Sequence, residues 1–154
     1  MVTQNLELGQ LLPSWELEPI FDETVPDINS FAGKPLLILF FNLGCPGCKG
    51  RAIPFANLLV HEGKEVSVIG IHSRLEGKDY SKNDLKAAKD EFYIRFPYFM
   101  DRNDKNTFLK YEGGGTPHWI LIDKNGHLAY SIFGSSPNNA LLKLELKIQE
   151  LLEN

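Results

Sequence analysis

Cys45 and Cys48 are the only thiols among 154 residues, three apart in Cys45-Pro46-Gly47-Cys48. One helical turn separates residues at that spacing, so the second sulfur can reach back to the first. If the pair opens a helix, the free N–H groups of its first turn and the positive end of its dipole favour a thiolate at Cys45. Cysteines in such motifs have pKa values lowered to roughly 3.5–7.5. The chemistry this permits is disulfide exchange, in which Cys45 attacks a disulfide and Cys48 resolves the mixed disulfide. Read bare, the same spacing also fits two small core residues or half of a metal site. A structural metal site needs more ligands than two thiolates, and there is no second cysteine pair, so neither metal nor cofactor is expected.

The surrounding pattern favours redox chemistry. Leu36 to Phe41 is an unbroken apolar run of strand length, and it breaks at Asn42-Leu43-Gly44 just before the motif. After Cys48, apolar residues recur at helical spacing to about His61, with Pro54 inside the pattern as a kink. Pro46 suits a first helical turn because it has no N–H to leave unsatisfied, and Gly47 makes the loop less rigid. Residues 66–71 read as a second buried strand. Ser81, with Asp84 three residues on, starts a helix over 82–93. Residues 96–100 form a short strand broken early by Pro97, and 105–111 a short helix ended by Gly113-Gly114-Gly115. Residues 118–123 and 128–133 form a hairpin about Lys124-Asn125-Gly126. Ser136-Pro137 then introduces an amphipathic helix over 140–152. A parallel β-α-β start and an antiparallel finish imply a mixed sheet flanked by helices. Residues 15–20 are the strand-like part of an otherwise Pro-rich, acidic N-terminal stretch.

With 43% apolar and 23% charged residues, the chain has the composition of a globular protein, expected to form one domain over 1–154. A net charge of −4 gives no footprint for nucleic acid. No apolar run approaches the roughly 20 residues needed to span a bilayer. Residues 1–10 lack the basic and apolar regions of an export signal. The expected location is cytoplasmic, or extracytoplasmic if such a signal has been removed.

Taken together the motifs resemble the thioredoxin superfamily, in particular its TlpA/ResA-like thiol–disulfide oxidoreductases. The resemblance rests on Gly33-Lys34-Pro35-Leu36, the Cys45–Cys48 motif, Pro54 and Val68-Ile69-Gly70-Ile71. It continues through Thr116-Pro117 and Ile120-Leu121-Ile122-Asp123-Lys124-Asn125-Gly126, so it covers about 30–152. It implies a thioredoxin fold over 31–154 with a variable β extension over 1–30. It also implies Cys45 as nucleophile, Cys48 as resolving thiol and a cis Thr116–Pro117 bond against the pair. Thr116 and Pro117, with Pro46 and Gly47, would then face the substrate. The implied partners are protein disulfides or dithiols, or small thiols, together with a reductant or oxidant.

Three positions depart from the family pattern. Leu39 stands six residues before Cys45, where thioredoxins carry a buried Asp, Arg51 stands where ResA-like proteins often have Glu, and Gly44 replaces a common aromatic. No carboxylate is therefore evident to take the Cys48 proton. Arg51, with Lys49, and His118 are the candidates for tuning the thiols. His72 ends a strand at an edge where α/β sites form. His61 and His127 read as surface residues, and the tryptophans and phenylalanines as packing residues. The triple glycine is followed by neither a helix nor Lys-Ser/Thr, so it is not a phosphate loop. Rival readings are a redox-sensitive binding module, a Sco-like copper protein, whose cysteine spacing is wider, and a peroxiredoxin. Asn42 and Ile38 occupy the positions where the peroxiredoxin pattern has Thr and Pro.

Overall fold

The computed structural model describes residues 6–153. Residues 1–5 and 154 lie outside the described residues, and with them the first half of the stretch read for an export signal. In chain order the elements are β1 (Leu17–Glu18), β2 (Leu36–Phe41), α1 (Ile53–His61), β3 (Ser67–His72) and α2 (Lys82–Glu91). There follow β4 (Tyr98–Asp101), α3 (Asn106–Lys110), β5 (His118–Ile122), β6 (Leu128–Phe133) and α4 (Ala140–Leu152).

All six residues of β2 are buried, which marks a strand covered on both faces. Burial of such a side chain stabilises the fold by roughly 1.5–3 kcal/mol. β2 runs parallel to β3 and antiparallel to β5, and the sheet order is β1-β4-β3-β2-β5-β6. This is the mixed sheet flanked by helices that the element order implies. Alternation along β2 sorts the core into two halves. Leu37, Leu39 and Phe41 point to the side where Cys48, Ala52, Ile53, Leu85 and Leu144 pack. Leu36, Ile38 and Phe40 face Phe108, Tyr111, Trp15 and Leu17 on the other side. The N-terminal extension is thus a strap over the second face, pinned by the Gly9 N–H to Leu128 and by a bridge between Leu11 and His127.

The helix after the cysteines is built differently from the expected Pro kink. The chain is helical from Pro46, forms a π-helical turn over Cys48–Ala52 and only then enters α1, with Pro54 in its first turn. The Ile53 N–H reaches the Cys48 carbonyl, a wider ring than the α-helical one. Pro54 has no N–H and its ring would press on the carbonyl four residues back. The π turn widens the spiral there, so the distortion lies ahead of the proline rather than at it.

Other boundaries moved for local reasons. α2 stops at Glu91, not 93, because Tyr93 is held at φ 54° while its carbonyl accepts from Asn57 Nδ2 at 2.9 Å. β1 is two residues rather than six, because the Glu23 carboxylate accepts the Ile20 and Phe21 N–H groups and turns the chain away. β4 begins after Pro97, which has no N–H for the ladder, and extends through Asp101. α4 starts at Ala140, and Ser136 is not its cap: its carbonyl closes a preceding turn with Asn139 and Leu141. Among the described residues, no helix is long and apolar enough to cross a membrane.

Candidate active site

The end of β2 delivers the chain to a tight turn. The Cys45 N–H donates to the Asn42 carbonyl at 3.0 Å. Asn42 Oδ1 accepts the Gly44 N–H at 2.8 Å, an Asx turn that Asn-x-Gly can signal in sequence. Asn42 Nδ2 donates to the Ser73 carbonyl at 2.9 Å, which ties the turn to the end of β3. His72 adds a second tie, its Nε2 accepting the Leu43 N–H at 3.1 Å.

Cys45 then sits where an N-cap sits. The Cys48 N–H points at its sulfur, 3.2 Å away, as first-turn donors do towards a capping acceptor. The Cys45 thiol donates to the Thr116 carbonyl at 3.3 Å. The Thr116–Pro117 bond is cis. Both cysteines are free thiols, with Cys45 partly exposed and Cys48 fully buried.

Burial pushes the Cys48 thiol well above its ordinary pKa. A hydrogen bond with Cys45 and the proximity of the Cys45 charge raise it further, while the Asn42 backbone and the Thr116 side chain pull the other way. Leu39, paired with Gly70 and Trp119, lies fully buried in the same apolar cluster as Cys48. The surroundings of the resolving thiol are therefore dry, which is why it holds its proton.

Close backbone approach shapes the front of the site. A Cβ on Gly47 would stand 2.8 Å from Ser135 Oγ and 3.7 Å from Pro117 Cδ, so any larger residue there makes the Ser135 hydroxyl give way while still clearing Pro117. A Cβ on Gly44 would stand 3.2 Å from the Tyr80 hydroxyl. Tyr80 belongs to the segment after β3 and forms one wall of a groove of about 490 Å³ beside Cys45. Asn42, Ser73, Leu75 and Thr116 also line that groove.

The structure brings Cys45, Cys48, Pro46, Gly47, Thr116 and Pro117 together, and places His118 on the other face of the sheet. His118 shares the β5 parity of Ile120 and Ile122, so it faces the second half of the core, away from Cys48. Its Nδ1 accepts the Gly114 N–H at 3.1 Å and its Nε2 lies 2.8 Å from Ser131 Oγ. Arg51 is exposed, with no ion pair among the described residues. Sequence reasoning missed Tyr80 and Ser135, which carry no local signal, and the buried set behind the site. There Asp101 accepts from Ser73 Oγ at 2.9 Å and from the Thr107 and Phe108 N–H groups at 2.7 and 2.9 Å. Burial still raises the Asp101 pKa against these donors.

The chain matches the AhpC/TSA family over residues 8–131. No curated protein sequence matches it. A thiol-disulfide isomerase from Corynebacterium glutamicum is 31% identical, with 97% of this chain and 98% of that one covered and a TM-score of 0.78. A thioredoxin-like superfamily protein is 28% identical over 96% and 98% of the two chains, with a TM-score of 0.81. The thioredoxin domain of a thiol-disulfide oxidoreductase from Bacteroides vulgatus shares the fold at 20% identity and a TM-score of 0.72, over 94% and 99% of the chains. Matched over most of its length, and superimposing on these proteins over nearly all of their chains, the chain belongs to the AhpC/TSA family and has a thioredoxin-like fold.

Proposed function

We propose that the protein is a thiol–disulfide oxidoreductase that exchanges disulfides with protein or small-thiol partners through Cys45 and Cys48, acting as one unit without a cofactor. The observation that carries this reading is the asymmetry of the pair: one thiol partly exposed at a helix start beside a groove, the other sealed behind it. Cys45, as thiolate, attacks a substrate sulfur; a Cys45–substrate S–S bond forms and the other substrate sulfur leaves as thiolate. Cys48 then loses its proton to that leaving thiolate or to solvent and attacks Cys45 Sγ, releasing the second substrate sulfur and closing the Cys45–Cys48 disulfide. Two of the three influences that hold the Cys48 proton come from Cys45 itself. Burial, the largest influence, persists, but Cys45 carries no charge in the mixed disulfide, so that part of the restraint on the resolving thiol is lifted when it must ionise. Leu39 and Arg51 offer no carboxylate for this step, so in this reading the leaving thiolate or solvent takes the proton.

In this reading the carbonyl of Thr116 and the ring of Pro117 receive an extended substrate segment, with Pro46 and Gly47 beside them. Arg51 and Lys49 act on the thiols only through solvent. A peroxidase reading is disfavoured: Asn42 is committed to Ser73 and Gly44, and Ile38 is buried between Ile69 and Ile120.

Reduction of insulin by dithiothreitol tests the proposal. The wild type accelerates it, Cys45→Ser does not, and Cys48→Ala accumulates a mixed disulfide visible by mass spectrometry. Equal inactivity of wild type and Cys45→Ser would refute it. Titration of the pair against glutathione then sets the direction, a potential of about −270 mV marking a reductant and about −120 mV an oxidant. A reductant in the cytoplasm would need a dithiol donor, and an oxidant elsewhere a disulfide donor.

A further inference from the structure

Two side-chain links hang the Cys45 turn from the end of β3. One is the Asn42 amide on the Ser73 carbonyl; the other is the Leu43 N–H on His72 Nε2. The second is the more exacting. Leu43 and His72 are both buried, so the Leu43 N–H has no water to turn to, and a lost partner there leaves a bare donor. The bond also assigns the tautomer: Nε2 accepts, so the proton sits on Nδ1. The imidazole is clamped edge to face on two sides, by Phe41 with centroids 5.3 Å apart and by Tyr80 at 5.8 Å. Its backbone is in register with Phe41, the last residue of β2.

Tyr80 is the same side chain whose hydroxyl occupies the space over Gly44 and whose ring lines the groove. His72 therefore touches both sides of the site. It holds the turn two residues before Cys45, and it backs the Tyr80 wall of the groove that Cys45 also lines.

We propose that His72 is a positioning residue for Cys45, setting the attacking thiol against the Tyr80 wall of the groove through the Leu43 N–H. This rests on the oxidoreductase reading for its purpose but not for its geometry. Burial holds the imidazole neutral, with a pKa of about 4, against the opposing pull of Asp104. A neutral ring is what an acceptor at Nε2 needs.

The test is the rate at which reduced protein reacts with dithiobis(nitrobenzoate), read as the first thiolate released, which needs no turnover. It is paired with the glutathione equilibrium constant of the Cys45–Cys48 pair and with insulin reduction. His72→Gln carries an amide acceptor to nearly the Nε2 position, whereas His72→Asn is too short and His72→Leu has no acceptor. The expected result is that His72→Leu and His72→Asn slow the first step by roughly tenfold and move the equilibrium constant, while His72→Gln stays within about twofold of wild type. Urea melts confirm that each variant is folded; if His72→Leu is not, the Gln and Asn pair decides. Wild-type rates and equilibrium constants in all folded variants would overturn the proposal, as would a Gln variant as impaired as Asn. If insulin is never reduced but the His72 series still orders the first step as stated, the positioning role stands and the oxidoreductase reading falls.

Discussion

Two buried histidines cap two strands of the same sheet, and the contrast between their surroundings is instructive. His72 closes β3 and His118 opens β5; burial depresses both to a pKa of about 4. Each accepts one backbone N–H from a neighbouring loop, Leu43 for the first and Gly114 for the second. What separates them is parity. His72 lies on the face that holds Cys48 and so grips the cysteine turn. His118 lies on the other face and ties the glycine run to Ser131 on β6. In sequence, His118 stands beside the cis-proline and looks the better candidate. The alternation of the strand overrules that adjacency.

The largest way to break the contrast is to remove the support beneath the β3 end. Asp101→Ala leaves the Thr107 and Phe108 amides and the Ser73 hydroxyl without their acceptor, all in a dry interior. Urea denaturation should show a loss of about 3 kcal/mol or more. A loss under about 1 kcal/mol would mean that the buried set is not a support at all.

Acid should strain both histidine regions alike. The folded imidazoles titrate at about 4, whereas in an unfolded chain they titrate near about 6.5. Below about 6.5 the unfolded chain takes up protons that the fold refuses, so stability is full above that pH and is lost as pH falls towards 4. Each histidine contributes on the order of 3 kcal/mol to that loss. Urea midpoints measured from pH 7 to pH 4 should fall in the wild type and fall less steeply in His72→Gln and in His118→Gln. The two variants then separate by activity, because His118→Gln should lower stability while leaving the first step at Cys45 within about twofold of wild type. A His118 variant that slowed Cys45 as much as His72→Leu would erase the distinction drawn between the two faces.

Smaller effects test the front of the site. Gly47→Ala drives a methyl into Ser135 Oγ and should cost about 1 kcal/mol, recovered in part by Ser135→Ala in the double variant. Purely additive losses would show that the approach of Ser135 is incidental. The smallest effect is assigned to Arg51→Gln, since an exposed charge at 0.15 M salt is largely screened. A change under about twofold in Cys45 reactivity is expected, and a larger one, abolished by salt, would restore Arg51 as an electrostatic partner of the thiols.

Much of this molecule is written in local pattern. The apolar run of Leu36 to Phe41, the Cys45–Cys48 spacing, Ser81 with Asp84 and the period of α4 are each properties of a few consecutive residues. They determined the order of elements and the mixed sheet. The ends were harder to place because they depend on partners. α2 stops where Asn57 holds Tyr93, and β1 stops where Glu23 turns back on Ile20. The helix distortion came out ahead of Pro54 because the proline constrains the turn before it.

The sequence by itself determined that two thiols would stand one turn apart after a buried strand, with a Thr-Pro pair far downstream, because strand period, helix pitch and proline chemistry act over short range. Only the tertiary structure decided what surrounds them. The Tyr80 wall, the contact of Ser135 with Gly47, the burial of Cys48 beside Leu39 and the choice of His72 over His118 all join segments from different strands and loops. Such neighbours are set by sheet order and by which face each residue occupies, and no window of consecutive residues contains that information.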